Sequence, residues 1–356
     1  MLEKLTIENF RGLRRVELHD LARVNIFVGR NASGKTSVME AASIVANPTS
    51  PGWLGLLGIW RELPPPSLHA PDAIGIAFPS MDVSKRISFQ FSEGGRKHGL
   101  DISAVTDPSS LSRKDAHSYT ESSASSSDIT DFTRLYGVEY SYCPSGKQTI
   151  KTRVELFSEG STQKREPTVD KLGAFYIHAR RSTSPQETAS VLTRLFERKL
   201  HEPFMQAIRM VDPRVVTMQP GLRGNTPIVL VDIGLSSLIP MNALGDGFCR
   251  ICLMLTGMVS QKNVIVVVDE IDSGLHHTIM TDFWKSVLRI AEKFEFQLFC
   301  STHNEEMLYS TLPAFSSRQK DLRVFRLDRD KEGSVTARPY DYQRFEEAET
   351  AGLDIR

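Results

Sequence analysis

Residues 29 to 36 read Gly29-Arg30-Asn31-Ala32-Ser33-Gly34-Lys35-Thr36, a G-x-x-x-x-G-K-[ST] loop between the apolar run Val24–Val28 and a helical stretch beginning at Ser37. That strand, loop and helix order is the context in which such a loop wraps phosphate. Glycines let consecutive backbone N–H groups turn inward, and the helix offers the positive end of its dipole to the same anion. Lys35 adds a point charge and Thr36 a hydroxyl for Mg²⁺, so residues from Gly29 to Ser37 form a candidate nucleotide site.

A second element is Val264-Ile265-Val266-Val267-Val268-Asp269-Glu270. Five successive β-branched residues fit a strand buried on both faces, and the C-terminal ends of such parallel strands are where acids meet ligand. Asp269 would hold Mg²⁺ or its water shell. Glu270 would orient or deprotonate an attacking water. A third element, Asn242-Ala243-Leu244-Gly245-Asp246-Gly247, stands before a helix beginning at Phe248. Its two glycines expose backbone donors at a helix N-terminus, a second anion site in one chain. A single nucleotide needs one such loop, so this turn is assigned to another subunit's nucleotide; the alternative is an ordinary turn with Asp246 near the N-cap. His303, just past the apolar run Phe296–Ser301, is delivered toward the same sheet edge as Asp269 and Glu270.

The elements that must position these residues fall into two textures. From Gly173 onward strands and helices alternate: a strand at 174–178, a helical hairpin or long helix at 186–209, a strand at 228–233, a helix at 248–260, strands at 263–268 and 296–301, and a helix at 277–294. Such alternation implies a mostly parallel sheet covered on both faces. At the N-terminus, Leu2–Phe10 and Leu13–Leu21 read as antiparallel strands joined at Arg11-Gly12, feeding Val24–Val28. Short alternating stretches at 86–91, 138–143 and 152–157 suggest a small antiparallel layer. Residues 47–80, with Pro64-Pro65-Pro66, read as an irregular excursion, and the Ser-rich stretch 106–131 as a mobile insertion too poor in apolar residues to order itself. The resulting division is a core at 1–46 and 173–356 that carries the phosphate loop and the acids, with a helical subdomain near 185–212, and an insertion at 47–172.

Composition constrains partners more than fold. The 356 residues hold 43 Lys plus Arg against 43 Asp plus Glu, so nucleic-acid binding would need a local patch. Arg180, Arg181, Arg194, Arg198, Lys199 and Arg209 could form one, or a merely solvated helix face. The N-terminus starts a strand-like alternation, and no run approaches the roughly 18 apolar residues of a membrane span, so a cytoplasmic protein without membrane contact is expected. Cys249 and Cys252 form a C-x-x-C with no second pair or nearby histidine to complete a zinc site, which assigns them to core packing.

The order of these motifs resembles the ABC-type ATPase heads of the RecF, SMC and OLD group. More narrowly, Ile7-Glu8-Asn9-Phe10-Arg11-Gly12, Leu244-Gly245-Asp246-Gly247-Phe248-Cys249-Arg250 and Asp269-Glu270-Ile271-Asp272-Ser273-Gly274-Leu275-His276-His277 resemble the OLD-like AAA-type ATPases of bacterial phage-defence loci. The resemblance covers residues 1–46 and 173–310. It implies an α/β P-loop NTPase fold and a head-to-head homodimer, or a higher assembly, with two ATPs sandwiched between each phosphate loop and the opposing signature turn. Carried over by position, Lys35 and Thr36 grip phosphate and Mg²⁺, Asp269 supports the metal, Glu270 is the catalytic carboxylate, His303 senses γ-phosphate, and Arg11 lies near the nucleotide. Leu244, Gly245, Asp246 and Gly247 form the signature that acts in trans. Gly245 stands where the signature usually has serine, and His276 where the following loop usually has aspartate. The glutamine loop is not identifiable; Ile177-His178-Ala179-Arg180-Arg181 occupies its place. The expected function is an ATP-hydrolysing switch working with a separate effector, nuclease or toxin, in anti-phage defence, since about 50 residues follow His303, too few for the Toprim nuclease domain of full OLD proteins. The alternatives are a RecF-like repair ATPase that binds DNA and a non-enzymatic scaffold, against which Lys35 and Glu270 argue.

Overall fold

The computed structural model describes residues 1–50, 72–107, 135–157, 160–164, 173–177, 185–259 and 264–355. An N-terminal hairpin of β1 (Leu2–Phe10) and β2 (Leu13–Leu18) leads to β3 (Val24–Val28) and α1 (Lys35–Val45). Next come β4 (Ile87–Glu93), β5 (Arg96–Val105), β6 (Gly137–Cys143), β7 (Ile150–Phe157) and β8 (Gly160–Lys164). After β9 (Gly173–Ile177) stand α2 (Pro185–Glu197), α3 (His201–Val211), and a ribbon of β10 (Thr217–Arg223), β11 (Thr226–Asp232) and β12 (Ile239–Pro240). The C-terminal part runs α4 (Asp246–Val259), β13 (Val264–Val268), α5 (Met280–Lys293), β14 (Phe296–Ser301), α6 (Glu305–Tyr309), α7 (Thr311–Phe315), β15 (Leu322–Arg329), β16 (Val335–Tyr340) and α8 (Tyr342–Thr350).

Strands β15, β3, β14, β13 and β9 lie side by side in parallel, with β16 antiparallel at the edge. In β3, β13 and β14 every residue is buried, and their alternate side chains supply two different cores. Val24, Ile26, Val28, Val264, Val266, Val268, Leu298 and Cys300 face the helices α3, α4 and α5. Phe27, Ile265, Val267 and Phe299 face α1 and the inner side of an antiparallel sheet. A strand with a period of two can be apolar at every position only when both faces are covered, which is what the run of β-branched residues anticipates. The fold is therefore an α/β P-loop architecture with a mostly parallel central sheet and an antiparallel layer.

Several expectations are corrected. The antiparallel layer has seven strands in the order β2-β1-β4-β5-β6-β7-β8, so the expected boundary between residues 1–46 and 47–172 cuts a continuous sheet at the β1–β4 pairing. The 228–233 strand belongs to a separate three-stranded ribbon, β10-β11-β12, rather than to the parallel sheet. The second strand stops at Leu18, and the 277–294 helix begins with a 3-10 turn at His277–Ile279 before α5. The helical subdomain is a hairpin: Lys199 at φ 55° and the bond from Leu200 N to Leu195 O close α2 in a Schellman-type stop. Strands β15 and β16 lie beyond the segments read from sequence. Pro64–Pro66 and most of the Ser-rich stretch lie outside the described residues.

Two buried amides tie the layers together. Gln297, 1% exposed, accepts from Leu2 N at 2.8 Å and donates to Leu2 O and Ala22 O at 2.9 and 2.8 Å. Asn25 accepts from Ala22 N and donates to Ala22 O, both at 2.8 Å. Gln297→Met keeps the volume but takes the amide away from Leu2 N and Leu2 O, whereas Ala22 O keeps its bond from Asn25; each buried group left without a partner costs about 1–3 kcal/mol. The denaturation midpoint should fall by at least one such increment at unchanged slope; a loss below about 0.5 kcal/mol would show that the amide is dispensable.

Candidate functional site

Three positive-φ residues shape the phosphate loop: Gly29 at 137°, Ala32 at 61° and Gly34 at 102°. A Cβ on Gly29 would lie 2.4 Å from Leu327 O, so the loop has no room for a side chain there. Lys35 folds back over the loop, its Nζ donating to Gly29 O at 2.8 Å and to Arg30 O at 3.0 Å. Burial pulls the pKa of this ammonium down, and the charges of Asp269 and Glu270 oppose that pull. A partly dehydrated cation at the start of α1, beside the loop's N–H groups, is suited to phosphate.

The acids follow the end of β13, which β14 separates from the phosphate-loop strand β3. Asp269 accepts from Thr36 Oγ1 at 3.0 Å on one carboxylate oxygen and from Ser301 Oγ at 2.6 Å on the other. Ser301 Oγ in turn accepts from Glu270 N at 2.9 Å. A threonine hydroxyl and a carboxylate are hard oxygen donors of the kind Mg²⁺ takes alongside water and phosphate, so Thr36 and Asp269 fit the metal assigned to them. Glu270 is exposed and sits at φ 51°, a left-handed conformation that costs about 1–3 kcal/mol in a residue other than glycine. Its backbone is held on both sides: the N–H by Ser301, the carbonyl by Ser273 N and by Arg250 Nη2, each at 3.0 Å. Asp272, two residues after Glu270, accepts from Thr302 Oγ1 at 2.6 Å.

His303 lines a cleft of about 440 Å³ with Gly29, Arg30, Arg326 and Asp354. Arg326, on β15 beside the phosphate-loop strand, donates to Asp328 Oδ1 and Asp354 O, both at 3.0 Å. Neither Arg326 nor Asp354 was flagged by sequence, though the alternation of Leu322, Val324 and charged residues marks the strand. Burial first, then the nearby Lys35 charge, lowers the His303 pKa, against the upward pull of Glu270, Asp272 and Asp269. Arg11, at φ 54° in the β1–β2 turn, is ion-paired at 3.0 Å with fully buried Glu40, four residues beyond Thr36 on α1. That pairing fastens the hairpin to the nucleotide-site helix.

In the signature turn, Leu244 ends a 3-10 turn and Gly245, at φ 93°, has open space around it. Asp246 begins α4. Gly247 does something the sequence analysis missed: a Cβ there would lie 2.3 Å from Gly274 O, so this glycine permits close backbone packing onto the loop after β13. His276 caps the 3-10 turn through Thr278, and its ring lies tilted 36° against that of His277 with centroids 4.2 Å apart. Cys249 and Cys252 are buried in the core, as expected. Of the suggested basic face, Arg194, Arg198 and Lys199 are exposed, whereas Arg209 is engaged by Glu202 and Val216 O. Arg180, Arg181 and residues 178–181 of the segment in the glutamine-loop position lie outside the described residues. Among the described residues no helix is long and apolar enough to cross a membrane.

Residues 24–308 match the profile of a family described as "AAA domain, putative AbiEii toxin, Type IV TA system". An uncharacterized protein of Methanocaldococcus jannaschii is 35% identical over 63 residues, 18% of this chain and 28% of that protein. The DNA replication and repair proteins RecF of Lactobacillus acidophilus and Acinetobacter baumannii are 44% and 49% identical over 45 residues, 13% of this chain and 12% of each relative. The matches thus span less than a third of these relatives. An SMC head bound to the C-winged helix domain of ScpA superposes with a TM-score of 0.53 at 11% identity, covering 96% of this chain and 99% of that one. An SMC head with an extended coiled coil, bound to the C-terminal domain of ScpA derived from Pyrococcus furiosus, gives 0.50 at 10% identity over 98% of each chain. These two likenesses show the fold.

The proximity of Lys35 to His303 makes a prediction. In an NMR titration of the folded protein, His303 should lose its proton below the ordinary imidazole value of 6.5, and Lys35→Met should move that midpoint upward. Because the folded pKa is depressed, the unfolded chain binds more protons here, so this group makes stability fall as pH drops below 6.5 until the folded midpoint is passed. A midpoint indifferent to Lys35 would separate the two groups electrostatically.

Proposed function

The chain belongs to this AAA-domain family, and from that premise we propose that it binds and hydrolyses ATP with Mg²⁺ as a dimeric switch of the SMC and RecF type. The observation that carries the reading is the Asp269 carboxylate shared between Thr36 and Ser301, with Glu270 one residue on. Residues 29–36 cradle the β- and γ-phosphates while Lys35 exchanges its loop carbonyls for phosphate oxygens. Thr36 and Asp269 would hold Mg²⁺, which when bound neutralises charge on those oxygens. Glu270 takes a proton from water as its oxygen bonds to the γ-phosphorus and the bond to the β-bridging oxygen breaks. His303 meets the γ-phosphate from the cleft side. Leu244, Gly245, Asp246 and Gly247 of a second copy close the site, with Gly245 contributing a backbone N–H in place of the usual hydroxyl.

Cycles of closure change affinity for a partner through contacts that differ between open and closed heads. The family's toxin–antitoxin description and the resemblance to OLD-like ATPases support a separate effector protein in defence as that partner. A RecF-like role on DNA is supported by the RecF stretches and by exposed Arg194, Arg198 and Lys199. Duplex binding that weakens steeply with salt would favour the second reading, and dependence of cellular activity on co-expression with a genomic neighbour the first.

Lys35→Ala should abolish ATP binding measured by calorimetry. Glu270→Gln should bind ATP and accumulate as a closed dimer while turnover drops by roughly 10² to 10⁴. Wild-type affinity in the first variant, or unchanged turnover in the second, contradicts the assignment.

A further inference from the structure

Arg250 lies on α4, one helical turn after the signature glycines, and its guanidinium reaches the backbone that follows β13. It is buried, and Nη2 donates to Asp269 O at 2.9 Å and to Glu270 O at 3.0 Å. Both acceptors are backbone carbonyls of the residues assigned to metal and water. A second contact runs alongside, since Gly247 of the signature turn packs directly on Gly274 of the loop that follows Glu270. The positive φ of Glu270 makes this backbone a point of stored strain, and Arg250 supplies one of the bonds that hold it.

We infer that Arg250 is a positioning residue that couples the two nucleotide sites of the dimer. The inference rests on the proposed ATP sandwich. There, the signature turn of one subunit touches the nucleotide of its partner. In the same subunit, Arg250 and the Gly247–Gly274 contact fasten that turn to the peptide carrying Asp269 and Glu270. A shift of α4 on meeting the partner's nucleotide is therefore delivered to the subunit's own catalytic carboxylate through two carbonyl hydrogen bonds. Mg²⁺ and ATP are held by other groups, so coupling is separable from binding.

The test is the ATP dependence of hydrolysis by the full chain. The wild type should be cooperative, with a Hill coefficient above unity. Arg250→Met fills the space without donating; it should keep ATP affinity within about threefold, lose about tenfold or more in kcat, and lose cooperativity. Arg250→Lys keeps one donor group and should recover part of both. If Arg250→Met does not fold, Gly274→Ala provides the second probe: its Cβ would press on Gly247 Cα at 3.3 Å from an unfavourable φ of 80°, and it should likewise lower cooperativity and kcat at unchanged ATP affinity. A folded Arg250→Met with wild-type kcat and Hill coefficient overturns the inference, as does a wild type that hydrolyses ATP without cooperativity. Failure of the underlying ATPase reading looks different, because the wild type itself would then show no turnover.

Discussion

The Asp269 carboxylate accepts hydroxyl protons from two directions, from Thr36 at the start of α1 and from Ser301 at the end of β14. Three consecutive strand ends meet there: β3 through its loop and helix, β13 directly, and β14 through Ser301. The acid is nearly buried, and a carboxylate in that position is tolerable only when its oxygens are bonded. Removing Asp269 takes the acceptor from both hydroxyls, and removing either hydroxyl takes the donor from one carboxylate oxygen, so position and chemistry are bound to one another.

Register makes the meeting possible. Val268 pairs with Cys300 and Ser301 with Phe27, so the residues immediately after β13 fall beside Ser301 and the phosphate loop. The ladder continues past the strand through Asp269 N to Ile177 O and Ile271 N to Ser301 O. A slip of one residue would exchange the two cores and turn Asp269 to the other face. Val264–Val268 is apolar on both faces, so core packing alone does not forbid that slip; the hydroxyl bonds of Asp269 to Thr36 and Ser301 at the strand end select the register.

The parts of this design with a strong local signal were legible in sequence: the phosphate loop, the β-branched strand with its two acids, the two buried strands and the helices between them. The rest depends on tertiary partners. Strand β10 contains Pro220-Gly221, which reads as a turn yet pairs along its length with β11. Strand β5 interleaves charge and glycine, and its identity comes from lying between β4 and β6. Gly247 reads as an anion-binding glycine, whereas the reason for its missing side chain is a carbonyl from a loop 27 residues away in sequence, Gly274. Arg11 reads as a basic residue beside a nucleotide, but its partner is Glu40, a carboxylate buried inside an otherwise apolar helix face. Long-range contacts leave no periodic trace, which is why these partners do not show in the sequence.

The central claim is that each chain holds an incomplete ATPase site, with phosphate loop and acids in one copy and the closing signature in another. Turnover per chain measured across the protein concentrations that span monomer and dimer tests it most directly. The account predicts a rate per chain that rises with concentration and levels off as sedimentation reports dimer. A constant rate per chain at concentrations where sedimentation with ATP reports only monomer would contradict it.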